Sequence, residues 1–242
     1  MNKKRIVATV LLTSAITVAV SPEAKAGEGW DVSVTPYMWA AGIDGQIDIG
    51  TQSSNISYDF SDIIKDLNLA AEVMLEVNRD RWVNWAVFDY FSLENGDVNV
   101  GPLNANLESD MLLFAVGSGY RFDTSDRSTL DVLLGVRYLG MDNKLKISGV
   151  GNVHGNNDVY DAILTLRPRL RLSDRWTLSP TLSIGTGDSD YVLGMSPQLL
   201  YTISDRLDAR FGYRRLSYNF KDGSDEVDIT LAGLYFGLGI KF

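Results

Sequence analysis

Cysteine is absent from the 242 residues and histidine occurs once. The first absence removes disulfide frameworks, thiolate-held zinc and thiol nucleophiles together. Basic residues are in deficit, 22 Lys and Arg against 31 Asp and Glu, giving a formal net charge of -9. That balance excludes a nucleic-acid partner, because phosphate binding needs a basic stripe that displaces counterions. Long apolar runs are missing beyond residue 20. Any membrane residence of the remaining chain therefore has to be built from strands rather than helices.

What is present begins with Lys3, Lys4 and Arg5, the apolar stretch Ile6 to Val20, and the small-residue triplet Ala24-Lys25-Ala26. A positive start, an apolar segment and an A-x-A site form a signal-peptide pattern with cleavage expected after Ala26. Residues 27–242 would form the mature domain and would carry 18 basic and 30 acidic side chains, a net charge of about -12.

Apolar and polar residues then alternate with a period of two, the pattern of strands with one greasy and one polar face. Tyr160, Ala162, Leu164, Leu166, Pro168, Leu170 and Leu172 oppose Asp161, Ile163, Thr165, Arg167, Arg169 and Arg171. Leu130, Val132, Leu134, Val136 and Tyr138 oppose Thr129, Asp131, Gly135 and Arg137; Leu234, Phe236, Leu238, Ile240 and Phe242 oppose Gly233, Tyr235, Gly237, Gly239 and Lys241. The same test predicts ten strands, near 30–41, 68–78, 82–93, 108–122, 129–141, 160–172, 176–187, 191–203, 207–219 and 226–242. In the third, Asp89 and Asn84 fall on opposite faces, so a bulge is expected there.

Short polar turns, Arg79-Asp80-Arg81, Ser125-Asp126-Arg127, Ser173-Asp174-Arg175 and Ser204-Asp205-Arg206, mark one end of the meander. Longer segments at 42–67, 94–107 and 142–159 mark the other. Short turns on one rim and long loops on the other is the layout of an outer-membrane barrel. The predicted fold class is therefore all-β, a transmembrane antiparallel up-and-down β-barrel of about ten strands, with eight or twelve as alternatives. A soluble barrel or sandwich shares the alternation but hides its apolar face. Trp30, Trp82, Phe122, Trp176 and Phe242 at the short-turn rim favour the membrane form, where aromatics gather at the interface.

Pro36-Tyr37-Met38-Trp39, Gly42-Ile43-Asp44-Gly45, Phe60-Ser61-Asp62-Ile63, Arg137-Tyr138, Ser173-Asp174-Arg175-Trp176, Gly212-Tyr213-Arg214 and a last strand ending in Phe242 resemble a family of small, largely uncharacterised proteobacterial outer-membrane β-barrel proteins. The likeness covers essentially the whole mature chain. It implies a Gram-negative outer-membrane location, lipid as surroundings, and the barrel-assembly machinery as a transient partner reading the strand that ends in Phe242. It implies no cofactor and no agreed activity.

Inward charges on this register are Glu72, Glu76, Asp131, Arg137, Asp161, Arg167, Arg169, Arg171, Asp208, Arg210 and Arg214. They suit either a ladder of paired charges or a narrow arginine-lined conduit for small solutes, with a binding site as a third use. In the first long loop, Gln46 to Ile49 are expected to face Asn55 to Tyr58 as a hairpin, followed by a helical stretch from Ser61, its N-cap, to Leu67. His154 falls in a Gly/Asn-rich segment where neither Asp158 nor Ser148 is fixed by a motif, so no catalytic residue is expected. Asp188-Ser189-Asp190 and Asp222 to Glu226 lack calcium-loop spacing, so no metal is expected. Two functions remain open: a structural barrel or narrow passive pore, and a surface recognition protein acting through its long loops.

Overall fold

The structure, a computed structural model, describes residues 29–49, 52–100, 103–147, 151–222 and 225–242. The signal segment, Ser148, Gly223 and Ser224 lie outside the described residues. In chain order the elements are β1 (Trp30–Ile49), β2 (Gln52–Tyr58), α1 (Phe60–Asp66), β3 (Leu67–Arg79), β4 (Trp82–Val100), β5 (Leu103–Ser125), β6 (Ser128–Ile147), β7 (Gly151–Arg171), β8 (Trp176–Leu178), β9 (Thr181–Gly187), β10 (Tyr191–Ser196), β11 (Gln198–Ser204), β12 (Leu207–Asp222) and β13 (Asp225–Lys241). Each pairs antiparallel with its neighbour, and β1 closes the ring on β13 from Ser33↔Lys241 to Asp48↔Glu226. β8 and β9 form one stave broken at Ser179-Pro180; β10 and β11 form another broken at Pro197. With β2 lying only on the far end of β1, the ring has ten staves.

The alternation resolves as the sequence orders it, and it is inside out relative to a soluble protein. Leu134, Leu234 and Met38 are 70%, 67% and 62% exposed, whereas Asp89 and Asp131 are fully buried. Water would not tolerate that distribution around a whole barrel, but acyl chains do. At the short-turn rim Trp82 packs edge-on against Tyr120 and Tyr120 against Phe122, and Trp176 sits between Tyr201 and Phe211. From Phe122 up to Asp110, where the outer face of β5 turns polar, 12 residues at about 3.3 Å each, tilted by about 40°, rise about 30 Å. That matches the apolar thickness of a bilayer.

The turns at this rim are tight. Asp80 adopts a positive φ of 53°, which Asp tolerates because its short side chain bonds locally. In the turn between β7 and β8, Ser173 Oγ accepts from Trp176 N at 3.2 Å.

Three expectations are corrected. No bulge interrupts residues 82–91: Arg79↔Trp82 to Ala70↔Phe91 pair continuously. Asn84 faces outward, donating to Val77 O and accepting from Ser118 Oγ, and Asp89 faces inward. The described parts of the segments 94–107 and 142–159 are not loops but continuations of β4–β7, which run 19, 23, 20 and 21 residues. A span needs only about 9–11, so these four strands stand well beyond the apolar band. His154 accordingly lies on β7 opposite Lys144, not in a loop. The hairpin of the first long segment forms in a different register from the expected one, with Gln46–Ile49 pairing Gln52–Asn55 while Asn55–Tyr58 lie opposite Ile43–Gln46, and α1 starts at Phe60 with Asp59 in the N-cap position and no side-chain cap bond. Ser61 is inside the first turn.

The wall has a weak seam. The β7–β9 and β7–β8 pairings keep one register on either side of residue 168, which sets Pro168 opposite Pro180. By the same continuity Pro180 stands beside Pro197. Tyr213 N donates to Pro197 O at 3.1 Å and Ser179 N to Gln198 O at 2.9 Å, but no proline can return a bond. Three neighbouring staves thus lack ladder donors at one level.

Candidate functional site in the filled lumen

Inward side chains from distant staves meet across the barrel axis. Near the short-turn end, Glu76 of β3 takes Arg167 Nη1 at 2.8 Å and Arg169 Nη2 at 2.6 Å on one oxygen, and Arg210 Nη1 of β12 at 3.3 Å on the other. Asp131 of β6 takes Arg121 Nε at 2.6 Å and Arg167 Nη2 at 2.9 Å, with Arg169 Nε at 3.5 Å. Asp208 joins Arg210 Nε at 2.8 Å and Lys241 Nζ at 3.2 Å. β3, β5, β6, β7, β12 and β13 are cross-tied by one continuous network of carboxylates and guanidiniums.

Above it a second tier closes around Asp89. Arg214 Nη1 donates to Asp89 Oδ2 at 2.8 Å and to Tyr37 OH at 2.9 Å, and Tyr37 OH donates to Asp89 Oδ1. The Arg214 guanidinium also stacks 4.4 Å over the Trp39 ring, a cation–π contact strengthened by exclusion of water. Glu72 accepts from Trp39 N at 2.8 Å. Its carboxylate occupies a gap in the wall, because β1 stops pairing with β3 at Pro36↔Val73. Beyond this tier the interior is apolar: Leu113, Leu139, Val159, Val192, Leu216 and Leu231 are buried together with Tyr218. The inward face is therefore not polar along its whole length: its far half is a hydrocarbon core.

Of the predicted inward charges, Glu76, Asp131, Arg167, Arg169, Asp208, Arg210 and Arg214 are brought together in these tiers. Glu72 stands beside them without an ion pair among the described residues. Arg137 bonds Ser183 Oγ at 3.1 Å, and Asp161 holds Ser189 through its N and Oγ. Arg171 does not belong to the lumen: the strand ends there, and the side chain is exposed at the short-turn rim. Sequence reasoning missed Asp89, Tyr37, Arg121 and Lys241. Asp89 was legible as an inward residue had β4 been read without a bulge; Tyr37 is a neutral residue whose pairing depends on register across three staves.

No described group of three or more His, Asp and Glu is arranged to hold a metal. Asp188 and Asp190 each accept from the backbone of a flanking strand, from Tyr160 N of β7 and Lys221 N of β12, so one oxygen of each ties the turn to the wall. Asp158 accepts from Tyr138 OH at 2.6 Å rather than from the exposed His154, and Ser148 is outside the described residues.

Ten staves, a lipid-compatible outer face and an ion-tied interior define a transmembrane β-barrel of the outer-membrane type. No family model matches the sequence, and the search of curated proteins gave no match. Among solved structures the chain is similar to the outer membrane protease OmpT from Escherichia coli, with TM-score 0.57 and 10% identity over 92% of this chain and 100% of that one. It is also similar to the translocator domain of the autotransporter NalP from Neisseria meningitidis, with TM-score 0.49 and 14% identity over 99% and 98%. Ail of Yersinia pestis aligns with TM-score 0.37 and 10% identity over 89% and 100%. At such identities the likeness to the first speaks for the fold alone.

Proposed function

We propose that the chain resides in the Gram-negative outer membrane as a closed barrel and acts by presenting the raised sheet of β4–β7 to the cell exterior as a recognition surface. The observation that carries this reading is the cross-lumen network on Glu76 and Asp131. It commits Arg167, Arg169 and Arg210 to carboxylates instead of lining a passage, and the apolar core above it offers ions no path. A rigid, self-tied barrel is a mount. What it mounts is a wall about ten residues taller than membrane crossing requires. Phe242, whose N donates to Val32 O at 2.9 Å, is the residue through which the assembly machinery would engage the closing strand. No catalytic step, metal or cofactor is part of the proposal.

A narrow passive pore for small solutes is the rival, favoured by the row of arginines alone. Conductance of purified barrel in planar bilayers separates the two. A silent wild type, together with ligand attachment to whole cells that is lost when 94–107 and 142–157 are shortened, is the expected result. Discrete channel openings abolished by Arg169→Glu would overturn the closed-barrel reading.

A further inference from the structure

A cavity of about 80 Å³ lies between the two charged tiers, enough for roughly six waters by the space each needs. Its lining contains Arg137, Arg167 and Arg214 and no carboxylate. Arg167 and Arg214 are already matched by Glu76, Asp131 and Asp89. Arg137 is not. It is 6% exposed, and among the described residues no carboxylate comes within ion-pairing distance and its Nη1 finds no acceptor. Asp161 stands opposite in the ladder and its Oδ2 has no hydrogen-bond partner among the described residues, yet it forms no ion pair with Arg137: its Oδ1 is bound by Ser189 at 3.0 and 2.7 Å, and Asp161 does not line the cavity.

Two further polar groups of the lining lack a partner among the described residues, Trp85 Nε1 and Thr165 Oγ1. The indole can only donate, and the hydroxyl is free to donate. Gly117 helps place the indole, since a Cβ there would fall 2.8 Å from Trp85 Nε1. A guanidinium does not give up its proton in a protein, and a buried unpaired charge is strongly unfavourable. The cavity therefore has the size, the charge and the donor set for one partly dehydrated anion.

We propose that the mid-lumen cavity is a binding site for a small inorganic anion, of halide or nitrate size, held by Arg137 Nη1 with Trp85 Nε1 and Thr165 Oγ1. The anion acts as the counter-charge that Arg137 lacks, so the site is a structural one and does not depend on the recognition role. Bromide is the probe. Crystals of the folded barrel grown in sodium bromide are expected to show an anomalous peak within hydrogen-bond distance of Arg137 Nη1. In solution the melting midpoint is expected to shift upward when bromide replaces gluconate at constant ionic strength. Arg137→Gln should abolish both; Trp85→Phe and Thr165→Val, which each remove one donor from a barrel that keeps its ion pairs, should weaken the bromide shift. Ordered water in place of an anomalous peak overturns the proposal, as does bromide bound equally well by Arg137→Gln. If that variant does not fold, bromide shifts unchanged in both donor variants overturn it as well.

Discussion

Glu76 is the keystone of the lower tier, and its removal has a calculable consequence. Glu76→Gln keeps the volume but withdraws the negative charge from Arg167, Arg169 and Arg210 at 2.8, 2.6 and 3.3 Å. Arg210 retains Asp208 and Arg167 retains Asp131. Arg169 keeps only the 3.5 Å approach to Asp131, which already serves Arg121. Breaking a buried pair from one side costs about 3–5 kcal/mol, because the surviving charge stays desolvated. Asp123→Asn is the control: it breaks the exposed Arg81–Asp123 pair at 2.6 Å, where a loss below about 1 kcal/mol is expected. Urea unfolding in lipid vesicles, followed by the difference in gel mobility between folded and unfolded barrel, measures both. A Glu76→Gln barrel within about 1 kcal/mol of wild type would refute the argument, since the lower tier would then be hydrated and screened rather than a dry plug.

Tyr37→Phe removes the hydroxyl that joins Asp89 and Arg214 but leaves their ion pair intact, so about 1–2 kcal/mol should be lost in the same unfolding assay. Pro180→Val supplies an N–H opposite Pro168 O, and hydrogen exchange should slow across 178–182 and 196–198, which in the wild type should be the fastest-exchanging part of the wall outside the rims. Beyond the apolar band, hydrogen bonds from Asn219 first and Lys221 second hold the Glu226 carboxyl below its ordinary range. A lowered carboxyl stabilises the folded form above its unfolded pKa of about 4.5, and that contribution fades as pH falls from there through the lowered folded value. Protection factors for 219–228 should therefore drop over that acidic window, and Asn219→Ala should flatten the drop.

The sequence carried the fold because a barrel wall writes itself in period two. The faces of 129–141, 160–172 and 233–242 were assigned from alternation alone, and tight Ser/Asp/Arg turns located one rim. Strand ends were less legible. Beyond the bilayer the outer face turns polar, as at Asp110, Asp142 and Asp158, so the alternation lost contrast and the upper halves of β4–β7 read as loops. The lower tier was half visible: parity shows that Glu76 and Arg169 point inward, but that they meet is fixed by which staves face each other after closure. The clasp of Tyr37, Asp89 and Arg214 was hidden for the same reason, and the apolar upper lumen because inward Leu113, Leu139 and Leu231 resemble ordinary exceptions to the alternation. Arg171 shows the converse error, a residue of correct parity that lies past the end of the enclosed space.

The central claim is that the greasy face looks into lipid. Because the chain has no native cysteine, single cysteines at 134, 164, 234 and, in the short turn, 174 can each carry one nitroxide label in vesicles. Labels at 134, 164 and 234 are predicted to be relaxed strongly by oxygen and weakly by a water-soluble nickel chelate, with the order reversed at 174. Strong nickel relaxation at 134 and 234 would mean that water, not hydrocarbon, covers that face, and would contradict the account.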